Sequence, residues 1–381
     1  MCLSILCLLG ASACASADSY LGSGNWSPQA VPQNPGGQSP DTGQPPTNPS
    51  TPSTPGQPGE NQDSAVRATG LDQPWGIAPL PDGTALVGER ATGKIIKVNG
   101  QPGVPQQDLF TIPGIDASGD GGLLGLATSP AYSEDGLVFA YITTATDNRV
   151  VSFNSAGTVV PVITGIPKGA VHNGGALAAG ADGNLYIGTG DTGNPALATD
   201  PASLAGKILR IDNFGAPAAD NPTAGSAVFA SGLADATGIC LSTNGGYAVD
   251  LGGGTPTAVT GNELETLEPG ANYAGTDPTV AYSGKSLGGA ACAAVTTTAI
   301  VTGLDSKSLM TSIMNKKGAP VDDPQLSLTD KYGRLRAIAI DPASGAMWVG
   351  TYNRDGIGTP AADDDKIIMV PPPQGGGGGI S

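Results

Sequence analysis

Aromatic residues make up only 4% of this 381-residue sequence, charged residues 13%, and there is a single histidine, His172. One imidazole excludes a metal site built from several histidines and leaves only His172 for a Ser-His-Asp triad. No G-x-S-x-G elbow is present to supply that triad's serine, and no Gly-Lys-Ser/Thr phosphate loop occurs. Positive charge is also short: 17 Lys and Arg stand against 33 Asp and Glu, a net charge of −16. Without basic patches, neither nucleic acid nor an anionic membrane surface is an expected partner, and the acidity reads as a solvated surface. Glycine and proline are abundant instead, 59 and 33 residues. So much glycine speaks against a helical protein, while a 39% hydrophobic content still suffices for a core.

The N-terminus, MCLSILCLLGASACASADSY, reads as an export signal over residues 1–17. Its apolar run, Leu3 to Leu9, is too short to cross a bilayer as a stable helix. Ala11-Ser12-Ala13-Cys14 resembles a bacterial lipobox, so Cys14 is the expected lipidated residue and the membrane anchor. The box lacks a leading Leu and no Lys or Arg precedes the run, so an ordinary signal peptide cut near Ala17 is the rival reading. Both place the protein outside the cytoplasm; the favoured lipid anchor holds it at the membrane, in the cell envelope. Residues 18–64 are Pro-, Ser-, Thr-, Gly- and Gln-rich and read as a disordered tether, and 372–381 as a flexible tail. With the signal removed and Cys14 lipidated, Cys240 and Cys292 remain, a disulfide candidate in an oxidising compartment or else two buried thiols.

Between 65 and 371 a unit recurs: a turn, an alternating strand, a Gly-bearing loop, and a second strand often carrying Lys or Arg. DGTALVGERATGKIIKV, EDGLVFAYITTATDNRVVSF, DGNLYIGTGD with GKILRID, and SGAMWVGTYNRDG with DDKIIMV are the clear copies. NGGYAVDLGGG with NELETL, and AACAAVTTTAIVTG, are weaker ones. Period-two alternation bounded by Asp-Gly turns is a hairpin signal, and units of this size repeated around a ring signal a β-propeller. The expectation is all-β with six blades, the strand near Val66 to Leu71 completing the last blade. A short helical turn at Asp200 to Ala205 is the only helix expected. Asp363-Asp364-Asp365 reads as a solvated loop rather than a Ca²⁺ site.

LDQPWGIAPLPDGTALVGER, GDGGLLGLATSPAYSEDGLVFAYI, HNGGALAAGADGNLYIGTGD, SLAGKILRID, NELETLEPGANYA and GRLRAIAIDPASGAMWVGT, in that order, resemble the soluble glucose/sorbosone dehydrogenase family. The resemblance implies a six-bladed propeller that binds pyrroloquinoline quinone (PQQ) with Ca²⁺ and oxidises aldoses. It places His172 as the general base on the sugar hydroxyl, a role suited to an imidazole. Arg334 and Arg336 match a pair that reaches the quinone's carboxylates, and their spacing of two puts both on one strand face. Asp120 falls at an acidic or amide position of the cofactor site. Backbone carbonyls of Gly252 and Gly253 are the implied Ca²⁺ ligands.

Several family positions differ. Ala234, then Asp235, stand where the family has an arginine that polarises the quinone carbonyl, and that loss removes roughly a few kcal/mol of charge stabilisation. Leu251 interrupts the family's calcium segment, Asn262 replaces an Asp, and Ala274 follows Asn272-Tyr273 without the usual Trp. On these losses the cofactor site reads as degenerate, with no cofactor, and the protein as an envelope-associated binder of a sugar, an envelope glycan or an envelope protein. The alternative is a PQQ- and Ca²⁺-dependent aldose sugar dehydrogenase using His172.

Overall fold

The structure is a computed structural model that describes residues 63–252, 263–281 and 291–371. Cys14, the signal segment, the tether to residue 62, Gly253, Asn262 and the tail from 372 lie outside the described residues. Six four-stranded antiparallel sheets form six blades, spanning residues 74–111, 123–166, 174–231, 236–281, 292–327 and 335–370. The first strand of each blade packs against the first strands of its two neighbours and lines a central axis. Val66–Ala68 pairs antiparallel with Ile367–Val370, so the N-terminal strand supplies the outer edge of blade 6 and closes the ring, as its sequence position suggested.

Asp-Gly turn chemistry starts the hairpins. Asp82 and Asp182 each accept a hydrogen bond from the backbone N–H two residues on, Thr84 at 3.0 Å and Asn184 at 3.2 Å, and the glycines between take positive φ. Burial follows position in the blade. The second strands Thr84–Glu89, Val138–Thr143 and Met347–Thr351 are buried on both faces, whereas Gln107–Thr111 at an outer edge is largely exposed. Six apolar clusters result, each between two adjacent blades. Cys240, Tyr247 and Val249 of blade 4, for example, pack on Ala299, Val301 and Met310 of blade 5. Cys240 and Cys292 form a disulfide joining the inner strands of blades 4 and 5, with Cα atoms 5.4 Å apart.

Adjacent inner strands approach closely enough to require glycine. A Cβ on Gly125 would come within 2.2 Å of the Gly175 carbonyl oxygen. Five of the six inner strands also carry a register shift near their start. Two local expectations need correction. The helical turns are Tyr132–Asp135 and Pro195–Thr199, the latter capped by Asn194 and opened by Pro195, while 200–205 is irregular. The Asp363–Asp365 run is not a solvated loop: Asp364 and Asp365 are buried, and Lys366 pairs with Asp363 at 2.9 Å and Asp364 at 2.7 Å. Among the described residues no group of three or more His, Cys, Asp or Glu is arranged to hold a metal ion.

Candidate active site

At one end of the ring the inner strands begin and the second strands finish, so loops from successive blades meet around the axis. His172 lies there, just before the inner strand Gly174–Ala179. Its backbone is left-handed, with φ at 53°, a conformation that needs external support in a non-glycine residue. Two bonds supply it. The His172 N–H donates to Asp120 Oδ2 at 3.0 Å, and its carbonyl accepts from Thr192 N–H at 3.1 Å. Asp120, expected at the cofactor site, holds the backbone of the candidate base.

The imidazole is oriented by a carboxylate. His172 Nδ1 lies 2.8 Å from Oδ1 of Asp191, a buried residue just beyond the strand Leu185–Thr189, and the same oxygen accepts from Gly193 N–H at 2.7 Å. An ionised carboxylate only accepts, so Nδ1 carries the proton and the Nε2 lone pair is left available. Nε2 has no hydrogen-bond partner among the described residues. The ring borders a cavity of about 280 Å³, which Asp191, Ala234, Asp250, Glu265 and Tyr273 also line. Gly252 is at its rim, where a Cβ would sit 3.6 Å from His172 Nε2.

Carboxylates crowd this cavity and change one another's charge. Burial pushes the Asp235 carboxyl up to about 7, aided by the nearby charges of Asp250 and Asp120 and opposed by the Gly174 N–H it accepts at 2.6 Å. Burial likewise raises Asp250 to about 6, although its two oxygens accept from Ala234 N–H at 3.0 Å and Asp235 N–H at 2.6 Å. The full negative charge that the sequence suggested next to Ala234 is therefore partly quenched by protonation at neutral pH. For His172, burial is the largest single influence and pulls the pKa down. The Asp191 hydrogen bond and the charges of Asp235, Asp191 and Asp120 together outweigh it, so the net direction is upward.

The two arginines have unlike surroundings. A register shift between Leu335 and Ala337 breaks the alternation at Arg336. Arg334 is buried and committed to protein: Nε bonds Asp355 and Nη1 bonds Asp305, each at 2.6 Å. Arg336 is 2% exposed and lies over the Trp75 ring, 3.9 Å from its centroid, beside the axis. Its guanidinium makes no ion pair or hydrogen bond among the described residues, and its Nε is buried without a partner. Neither arginine lines the His172 cavity, but the Asp235 charge reaches both His172 and Arg336, which puts them at the same end of the axis. Asp191 and Trp75 gave no distinct signal in the sequence. Both lie inside segments that carry the family resemblance, but the sequence assigned neither a role, and burial of the acid only follows from the ring.

Residues 71–291 match the family model described as glucose/sorbosone dehydrogenase. The PQQ-bound aldose sugar dehydrogenase of Streptomyces coelicolor superposes with a TM-score of 0.73 at 36% identity, covering 80% of this chain and 96% of that one. Quinoprotein glucose dehydrogenase B of Acinetobacter calcoaceticus is 29% identical over 226 residues, 49% of this chain and 47% of that protein. Aldose sugar dehydrogenase YliI of Escherichia coli K12 is 26% identical over 170 residues, 40% of this chain and 44% of that protein. The matched segments thus span about half the length of these two curated relatives. With the ring, the order of its segments and the family match in agreement, the chain belongs to the glucose/sorbosone dehydrogenase family.

Proposed function

We propose that this propeller is an aldose-type sugar dehydrogenase in which His172 is the general base and Asp191 the residue that orients it. The carrying observation is the His172–Asp191 contact at the edge of an open cavity, with Nε2 free to take a proton from a substrate hydroxyl. The relatives' descriptions as quinoprotein and aldose sugar dehydrogenases support the same reading. PQQ would supply the hydride acceptor. The residues present fit it at one point in particular: Arg336 is a buried cation with no anion in contact among the described residues, suited to a carboxylate of such a cofactor. Gly252 is at the cavity rim, where a backbone carbonyl can meet Ca²⁺; Gly253 lies outside the described residues.

A second reading is a non-catalytic binder of a sugar, an envelope glycan or an envelope protein. It is favoured by Ala234 and by the acidic lining, since no Lys or Arg borders the His172 cavity among the described residues. Turnover separates the two. The full chain with PQQ, Ca²⁺ and an electron-accepting dye is expected to oxidise an aldose, and His172→Ala to lower kcat by roughly 100-fold or more. Absence of turnover across aldoses despite quinone binding would favour the binder. Export and a lipid anchor at Cys14 belong to the same proposal. They are tested by whether Cys14→Ser releases the protein from the membrane fraction.

A further inference from the structure

A left-handed backbone at a residue with a Cβ persists only where the surroundings enforce it, and His172 has φ at 53°. The next residue, Asn173, is buried and folds its amide back on the same loop. Its Oδ1 accepts from the Gly169 N–H at 3.0 Å, and its Nδ2 donates to the Gly169 carbonyl at 2.9 Å. One side chain therefore closes the loop over residues 169–173, with His172 inside it. No side chain fits at residue 169. A Cβ on Gly169 would come within 2.8 Å of the Val171 carbonyl oxygen and 2.9 Å of Thr192 Cβ.

A second amide fixes the first. Asn148 opens the third strand of blade 2, Asn148–Phe153, and is fully buried. Its Nδ2 donates to Asn173 Oδ1 and to the Pro167 carbonyl, each at 2.9 Å, and its Oδ1 accepts from Thr143 Oγ1 at 2.7 Å. From the neighbouring strand Val138–Thr143, the Tyr141 hydroxyl donates to the Asn173 carbonyl at 2.8 Å. Burial holds that phenol well above its ordinary value of 10, so it remains a donor. Each oxygen and nitrogen of the two amides has a protein partner, and neither side chain lines the His172 cavity. A buried, satisfied network of this kind can reach a substrate only through the backbone it holds, and that backbone carries His172. We propose that Asn173, braced by Asn148 and Tyr141, is a positioning residue that keeps the His172 ring in register with Asp191. Its consequence for turnover rests on the dehydrogenase reading; the placement of the ring does not.

His172 is the sole histidine, so nitrogen NMR of imidazole rings in the full chain reports this residue alone. At about pH 9 the ring is neutral, and its two nitrogens show which one carries the proton. Wild type should show the Nδ1–H tautomer that Asp191 imposes, and Asp191→Ala a mixture of both. Asn173→Ala should move the tautomer ratio about tenfold towards that mixture. Tyr141→Phe, which removes one hydrogen bond and keeps the ring's packing, should move it about threefold, and it carries the test where Asn173→Ala does not fold. Val349→Ala opens the buried core of blade 6 instead and should leave the ratio as in wild type. In turnover, Asn173→Ala should lower kcat about tenfold and change KM by less than about twofold. A wild-type ratio in Asn173→Ala, or in Tyr141→Phe where the former is unfolded, would overturn the inference even if turnover fell, because the network would then support the fold alone. So would an equal shift in Val349→Ala, or a wild type without the Nδ1–H tautomer. The predicted ratios in a protein that oxidises no aldose would uphold the positioning role and count against the dehydrogenase reading.

Discussion

His172 is pulled in two directions, down by partial burial and up by the Asp191 hydrogen bond and by three neighbouring carboxylates, with the upward pull larger. A base must be unprotonated to work, so kcat/KM should rise with pH through an inflection above the ordinary histidine value of about 6.5. Asp191→Asn removes both the charge and the fixed tautomer. It should lower the plateau by roughly 100-fold and move the inflection to lower pH, and an unmoved inflection would show that Asp191 does not act on the base. Asp235 makes a separate claim about stability. Its folded carboxyl titrates at about 7, against 3.8 as the ordinary value. The native state therefore keeps a proton that the unfolded chain releases, and stability declines as pH rises between these two values. Asp235→Asn, which can still accept from Gly174 N–H through Oδ1, should be more stable than wild type at pH 8 by roughly 2–4 kcal/mol. The gap should close towards pH 4. Chemical denaturation at the two pH values checks it, and a gap that is constant with pH would contradict the account.

The inner strands carry the axis, and the element that ties two of them covalently is the Cys240–Cys292 disulfide. It closes a loop of 52 residues in sequence. On a chain-entropy basis that constraint is worth about 4 kcal/mol, an upper figure because the reduced chain retains structure. The double variant Cys240→Ala/Cys292→Ala should lose roughly 2–4 kcal/mol in denaturant unfolding under oxidising conditions; no loss would mean that blade packing alone sets the stability here. The repeat pattern made the hairpins legible, because Asp-Gly turns and alternating strands are local properties. The register shifts at the inner-strand starts were not legible. A bulge depends on which strand lies alongside, and for that reason the two arginines of GRLR, alike in spacing, end in unlike surroundings. Arg334 is neutralised by Asp305 and Asp355, while the Arg336 guanidinium lies over Trp75 without an ion pair or hydrogen bond among the described residues.

At the scale of the whole ring, the closure by Val66–Ala68 and the six interblade cores follow from sequence order and apolar patterning. The site did not follow so directly. Its residues come from different blades and meet only when the ring is closed: Asp120 from the entry to blade 2, His172 and Asp191 from blade 3, Asp235 and Asp250 from blade 4, Arg336 from blade 6. Substitutions at Ala234, Leu251 and Ala274 were visible one by one and weighed against activity. In the closed ring Ala234 and Ala274 line the cavity of a carboxylate-oriented histidine. The measurement that tests this most directly is calorimetric titration of PQQ into the full chain with Ca²⁺, paired with His172→Ala and Arg336→Met. Saturable binding that survives His172→Ala and weakens at least tenfold in Arg336→Met is the expected result. No binding at high micromolar quinone, or binding indifferent to Arg336, would contradict the dehydrogenase reading.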